Sequence, residues 1–90
     1  MALVVHKYGG TSVADAAKIL SVARRIGKVR DSGVEVVTVV SAMGDTTDDL
    51  VRLAETVSPD PDPREMDLLL STGELVACTL MTMALRTLGY

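Results

Sequence analysis

The sequence predicts an α/β protein with parallel strands, and three observations carry that prediction. Two short apolar runs, residues 2–8 and 34–40, read as buried strands, the second of them β-branched almost throughout. A stretch of helical periodicity lies between them. Two more helical patterns follow the second run.

The first run, ALVVHKY, stops at a lysine, two glycines and two hydroxyls in the stretch HKYGGTSV. From residue 13 to 33, VADAAKILSVARRIGKVRDSG sets Ala16, Ile19, Leu20, Ala23 and Ile26 on one helical face, with Lys and Arg mostly on the other. Gly33 ends that helix before the second strand, VEVVTVV. Strand, helix and strand together have the length that a right-handed parallel crossover needs. After a turn at Gly44, a second helix carries Leu50, Leu53, Ala54 and Val57 on one face. SPDPDPRE then alternates proline with acid; three missing amide donors and extended backbone make it a surface connector. From Glu65 onward the pattern is helical again, with a break expected near residues 71–73.

Composition narrows the function classes. The 90 residues carry a net charge of −3 without a basic run, and Tyr8 and Tyr90, the two aromatics, offer no base-stacking platform, so no nucleic-acid partner is expected. Acidic ligands must be met by local charges. The lone Cys78 forms no disulfide framework or zinc spacing and is read as a small core residue; a cytoplasmic location fits. The N-terminus lacks the plan of a signal peptide and no run reaches about 18 apolar residues, so no membrane partner is expected. His6 reads as a strand residue, the DTTDD acids lack the glycine and terminal glutamate of a calcium loop, and Met66, Met81 and Met83 read as packing.

Without Phe or Trp the core is built from Val, Leu, Ile, Ala and Met. A chain of this size buries only roughly 60–65% of its unfolded surface. Two strands apolar on both sides are not a finished sheet, and residues 75–88 need more to pack against. The expectation is the N-terminal part of a larger α/β protein.

Three expected helix entrances each place a Ser or Thr three residues before an acid: Ser12 and Asp15, Thr46 and Asp49, Ser71 and Glu74. Each fits a capping box, worth about 1 kcal/mol per cap. The first also fits an anion cradle, because Gly9 and Gly10 let amides approach closely, a helix N-terminus favours negative charge, and Lys7 adds a full positive charge. Neither the dinucleotide fingerprint nor the P-loop spacing is present, and on pattern alone a tight turn with a solvated lysine remains open. The second entrance, Ser41 to Thr47, gathers small residues and hydroxyls at a strand end, where open α/β sheets bind ligands; it would face the first loop if the strands are parallel neighbours. At the third, Glu74 either pairs with a substrate ammonium group or caps the helix.

Taken together, KYGGTSV (7–13), VVSAMGDTTDDL (39–50) and EMDLLLSTGE (65–74) resemble, in order and spacing, the N-terminal signatures of aspartokinases of the actinobacterial type. The resemblance covers the whole chain. It implies the amino-acid kinase fold, a three-layer αβα sandwich with parallel strands, of which residues 1–90 would be the N-terminal part. The remainder of the kinase domain and the ACT domains have no counterpart here. The implied activity is transfer of the γ-phosphate of MgATP to the side-chain carboxylate of L-aspartate, giving 4-phospho-L-aspartate for lysine, threonine and methionine synthesis. By position, Lys7, Gly9, Gly10 and Thr11 would hold the ATP phosphates, with Lys7 in the catalytic role. Ser41 would line the junction of γ-phosphate and aspartate, Thr47 would contact aspartate, and Glu74 would take its ammonium group. Magnesium would arrive with ATP and not in a protein cage, and the complete enzyme would be a homo-oligomer. One departure is Ala77, where the family often has Ser. The 90 residues alone would be inactive; the alternatives are a non-catalytic oligomerisation or interaction module and another carboxylate kinase.

Overall fold

The computed structural model describes residues 2–90. Strand β1 (Leu3–Tyr8) leads through a short 3-10 turn (Gly10–Val13) into helix α1 (Ala16–Asp31), then strand β2 (Glu35–Val40), helix α2 (Thr46–Val57) and helix α3 (Pro63–Thr87). The two strands pair in parallel and in step, from Leu3 opposite Glu35 to Tyr8 opposite Val40. This is the expected strand, helix and parallel strand unit, with α1 carrying the chain back so that β2 starts level with β1.

Both strands alternate between a covered and an open face. Val4, His6, Tyr8, Val36, Thr38 and Val40 turn toward the helices, and α1 and α3 pack together over that side. Leu3, Val5, Val37 and Val39 stand on the other face, all substantially exposed. Burial on both faces, the sequence expectation, therefore holds for one face only among the described residues. The core joins Tyr8, Val13 and Val40 to Ile19, Val22, Ala23 and Ile26 of α1 and to Ala77, Met81 and Ala84 of α3. Ala16 and Leu20 lie outside it: the buried stripe of α1 is rotated toward Val22, so Leu20 faces solvent.

α1 ends as its sequence suggests, with Gly33 in the left-handed region (φ 92°) and its amide on the Arg30 carbonyl. Its start differs. Asp15 is the N-cap, its carboxylate accepting from the Lys18 amide at 2.9 Å, and Ser12 sits in the preceding 3-10 turn. At α2 the N-cap position is Asp45 without a side-chain bond, while the Thr46 hydroxyl donates back to the Met43 carbonyl.

α3 departs most from expectation. It starts at Pro63, where a missing amide costs nothing, and Asp62 caps it by accepting from the Glu65 amide. It then runs unbroken through Ser71–Gly73. Ser71 and Thr72 do not begin a helix; their hydroxyls donate to the carbonyls of Leu68 and Leu69. Gly73, Ala77, Met81 and Ala84 form its buried stripe, spaced at helical intervals. Cys78 and Met83 stand off that stripe and are exposed, correcting their expected packing role. By length and composition α3 could cross a membrane; here it packs on α1, α2 and β2 and carries Glu74 near its middle.

At the far end of the sheet from the loops, the Tyr90 ring covers Gly27 and its hydroxyl donates to Asp31. That bond, then desolvation and the Asp31 charge, raise the Tyr90 pKa above its ordinary value.

Candidate functional site

The three sequence stretches singled out above meet at the carboxyl ends of β1 and β2. Pairing continues one residue past the strands, where the Ser41 amide donates to the Tyr8 carbonyl at 3.0 Å. Beyond it the Gly44 amide donates to the Gly10 carbonyl at 2.9 Å, joining the loop after β1 to the loop after β2. Gly44 itself is left-handed (φ 51°), which turns the chain into α2.

Two glycines make the contacts close. A Cβ on Gly10 would stand 2.8 Å from the Ala42 carbonyl oxygen and 3.1 Å from that of Gly44. On the other side of the same loop, a Cβ on Gly73 would stand 2.9 Å from the Ala42 methyl and 3.3 Å from the Thr46 methyl. Ala42 is buried between them. This is how a helix residue thirty positions away comes to lie beside the β2–α2 loop.

The candidate residues are distributed around this junction. Lys7, opposite Val39 in the register, is exposed on the open face of the sheet, one residue short of the loop. Gly9 is exposed, and a Cβ there would meet nothing within 4 Å, so a ligand can approach its backbone. Thr11 is exposed in the 3-10 turn, whose first amides have no partner from within the turn. Ser41 is half-buried at the end of β2, and Thr47 is exposed in the first turn of α2. Glu74 is exposed in the body of α3, next to Gly73.

Two electrostatic expectations change. The N-terminus of α1 lies beyond the 3-10 turn that Gly10 begins and already faces the Asp15 carboxylate, so its dipole is not free to serve an anion at the glycines. The positive charge nearest the glycines in sequence is then that of Lys7. Glu74 is not in a first turn, so it does not cap a helix; it stands exposed in the body of α3. Around the second loop, Asp48 and Asp49 suit the α2 N-terminus, and Asp49 pairs with Arg52 at 2.6 Å. Among the described residues no group of three or more His, Cys, Asp and Glu is placed to hold a metal ion.

Gly44, Gly73 and Ala42 are the contributors that a search for charged and hydroxyl residues passes over. Their signal in the sequence is small size alone.

The sequence profile described as "Amino acid kinase family" matches residues 2–90. The chain belongs to the amino acid kinase family. Within the family it is similar to the aspartokinase of Mycolicibacterium smegmatis, 61% identical over 89 residues, which are 99% of this chain and 21% of that protein. The aspartokinase of Corynebacterium glutamicum is 53% identical over the same shares of the two chains. Among solved structures, the aspartate kinase from Synechocystis superposes with a TM-score of 0.95 at 51% identity, covering 98% of this chain and 15% of that one. The chain thus spans 21% of the length of these curated relatives, and the aspartokinase likeness extends over 99% of it. The parallel pair with its crossover helix is this family's α/β architecture in part.

Proposed function

We propose that these residues form the phosphate-facing and aspartate-facing part of an aspartate kinase. The observation that carries the proposal is the junction at Ala42, where the loop after β1, the loop after β2 and the Gly73 turn of α3 are held in mutual contact. Activity is proposed for the longer polypeptide to which such a segment would belong, since the aspartokinases it resembles are about five times its length.

In this reading an oxygen of the aspartate side-chain carboxylate attacks the γ-phosphorus of ATP. The bond from that phosphorus to the bridging oxygen breaks, and ADP leaves with 4-phospho-L-aspartate as the other product. Phosphoryl transfer asks little covalent chemistry of the protein; alignment and charge stabilisation do most of it. Lys7 would neutralise charge on the transferring group, while the backbone at Gly9 and Gly10 and the Thr11 hydroxyl would hold the phosphates. Ser41, midway between the loops, would touch the junction of donor and acceptor. Thr47 and Glu74 would orient aspartate, the carboxylate of Glu74 pairing with its ammonium group. Magnesium belongs to the MgATP substrate, where it offsets phosphate charge. The same reading expects a cytoplasmic homo-oligomer feeding lysine, threonine and methionine synthesis.

The test is acceptor choice. The full polypeptide is given MgATP with aspartate, glutamate or acetylglutamate, and ADP release is followed; aspartate alone should support it. Turnover with acetylglutamate and none with aspartate would move the chain to another branch of the family.

A second reading, a non-catalytic interaction module, is favoured by the open face of Leu3, Val5, Val37 and Val39. It predicts association of the 90-residue chain in sedimentation analysis and no aspartate-dependent ADP release by any polypeptide carrying it.

A further inference from the structure

We infer that Gly73 is a positioning residue for the acceptor amino acid, acting through the methyl group of Ala42. The inference rests on the aspartate kinase reading above and deepens it. α3 meets the β2–α2 loop through a helical glycine whose missing side chain leaves just enough room for Ala42 and Thr46. The Thr46 side chain cannot swing aside freely, because its hydroxyl is held on the Met43 carbonyl and its methyl is thereby turned toward Gly73. Leu50 closes the same contact, 3.8 Å from where a Cβ would stand. Gly73 is buried, and Glu74 follows it directly; Thr46 is likewise followed by Thr47. The thickness of this one contact therefore sets the separation between the two groups assigned to aspartate.

Gly10 governs a different separation. Its close neighbours are backbone carbonyls on the β1-facing side of the loop, so it spaces the phosphate loop from Ser41. The two glycines divide the site: Gly10 adjusts the donor side and Gly73 the acceptor side. They differ also in what could relieve an added methyl. At Gly73 the nearest obstacle is a side chain, the Ala42 Cβ at 2.9 Å, and mutation can remove it. At Gly10 it is a main-chain oxygen, which no substitution removes.

The experiment is a double-mutant cycle on the full polypeptide, with steady-state constants for both substrates. Gly73→Ala should raise the aspartate KM about tenfold or more, as expected for displacing a binding group by a fraction of an ångström to one ångström, and leave the MgATP KM within about twofold. Ala42→Gly combined with Gly73→Ala moves the methyl from one side of the contact to the other and should bring the aspartate KM back to within about threefold of the parent. The inference is overturned if Gly73→Ala leaves the aspartate KM unchanged, if both KM values rise together, or if the double variant is no better than the single one. Should Gly73→Ala yield no folded protein, Ala42→Ser carries the test, thickening the same contact from the loop side, with the same split between substrates expected and an even rise in both KM values overturning it. The parent protein is the separate control: failure to phosphorylate aspartate at all removes the functional reading itself, whereas a working parent with the wrong variant pattern removes only the role of Gly73.

Discussion

The amide of Gly44 reaches the carbonyl of Gly10 at 2.9 Å, and this bond ties together two loops that lie more than thirty residues apart in sequence. It can form because Gly10 lacks a Cβ: the space where one would stand is bounded by the carbonyl oxygens of Ala42 and Gly44. Pairing of β1 with β2 brings the loops to the same end of the sheet, and the glycines bring them into contact. The position of the candidate site thus follows from parallel topology, and its closeness from residue size.

Gly10→Ala is expected to destabilise the fold by about 1–3 kcal/mol, because the obstacle is main chain and must move as a unit. Gly9→Ala serves as its counterpart. Gly9 has ordinary extended geometry (φ −75°, ψ 170°) and open space around it, so its change in stability should stay within about 0.5 kcal/mol. If Gly9 meets ATP phosphates, however, the methyl should raise the MgATP KM with the fold intact. Denaturant unfolding beside initial-rate kinetics separates the two effects; equal stability losses at both positions would contradict the geometry.

Lys7→Ala should act on turnover and not on folding. The side chain lies on the open face of the sheet, so little packing is lost and melting should shift only slightly. If Lys7 meets the transferring phosphoryl group as proposed, removing its charge should lower kcat by roughly 10²-fold or more. Near-normal kcat in the full polypeptide would end the phosphate role of Lys7.

Glu74→Gln tests the acceptor side. A capping role would cost stability when the charge is lost, but Glu74 lies in the body of α3, where the amides are bonded within the helix. The expected outcome is a raised aspartate KM, with kcat at saturating aspartate largely kept and melting unchanged. An unaltered aspartate KM would strip Glu74 of its assigned contact.

How much of this was legible in the sequence differs from element to element. Strands and the α1 helix were, because β-branched runs and 3.6-residue spacing are strong local signals. Which face of each strand is covered was not: Val5 and Val39 are as apolar as Val4 and Val40, and pattern cannot rank two equally apolar faces. That HKYGGTSV and SAMGDTTD follow strands was readable, and parallel pairing brings both to one end of the sheet, while the contact of Ala42 with Gly73 needs coordinates, since a small residue carries no mark of what it lies against. The expected break at residues 71–73 failed for a related reason. Gly costs about 1 kcal/mol in a helix interior, yet here its absent side chain permits the contact with the β2–α2 loop. Ser71 and Thr72, which resemble a helix start, instead bond backward to the carbonyls of the preceding turn.

The start of α1 gives the sharpest check on that local chemistry. The pattern of Ser12 followed by Asp15 reads as hydroxyl cap and returning carboxylate, but the structure gives the cap to Asp15, with its oxygen on the Lys18 amide. Asp15→Ala should therefore cost about 1 kcal/mol, and Ser12→Ala, at an exposed position in the 3-10 turn, close to nothing. Asp15→Asn should keep most of the stability, since its side-chain oxygen still accepts the bond. Thermal unfolding of the three variants in the full polypeptide decides the matter, and a larger loss at Ser12 than at Asp15 would restore the capping box and bring the helix N-terminus back toward the loop at Gly9 and Gly10.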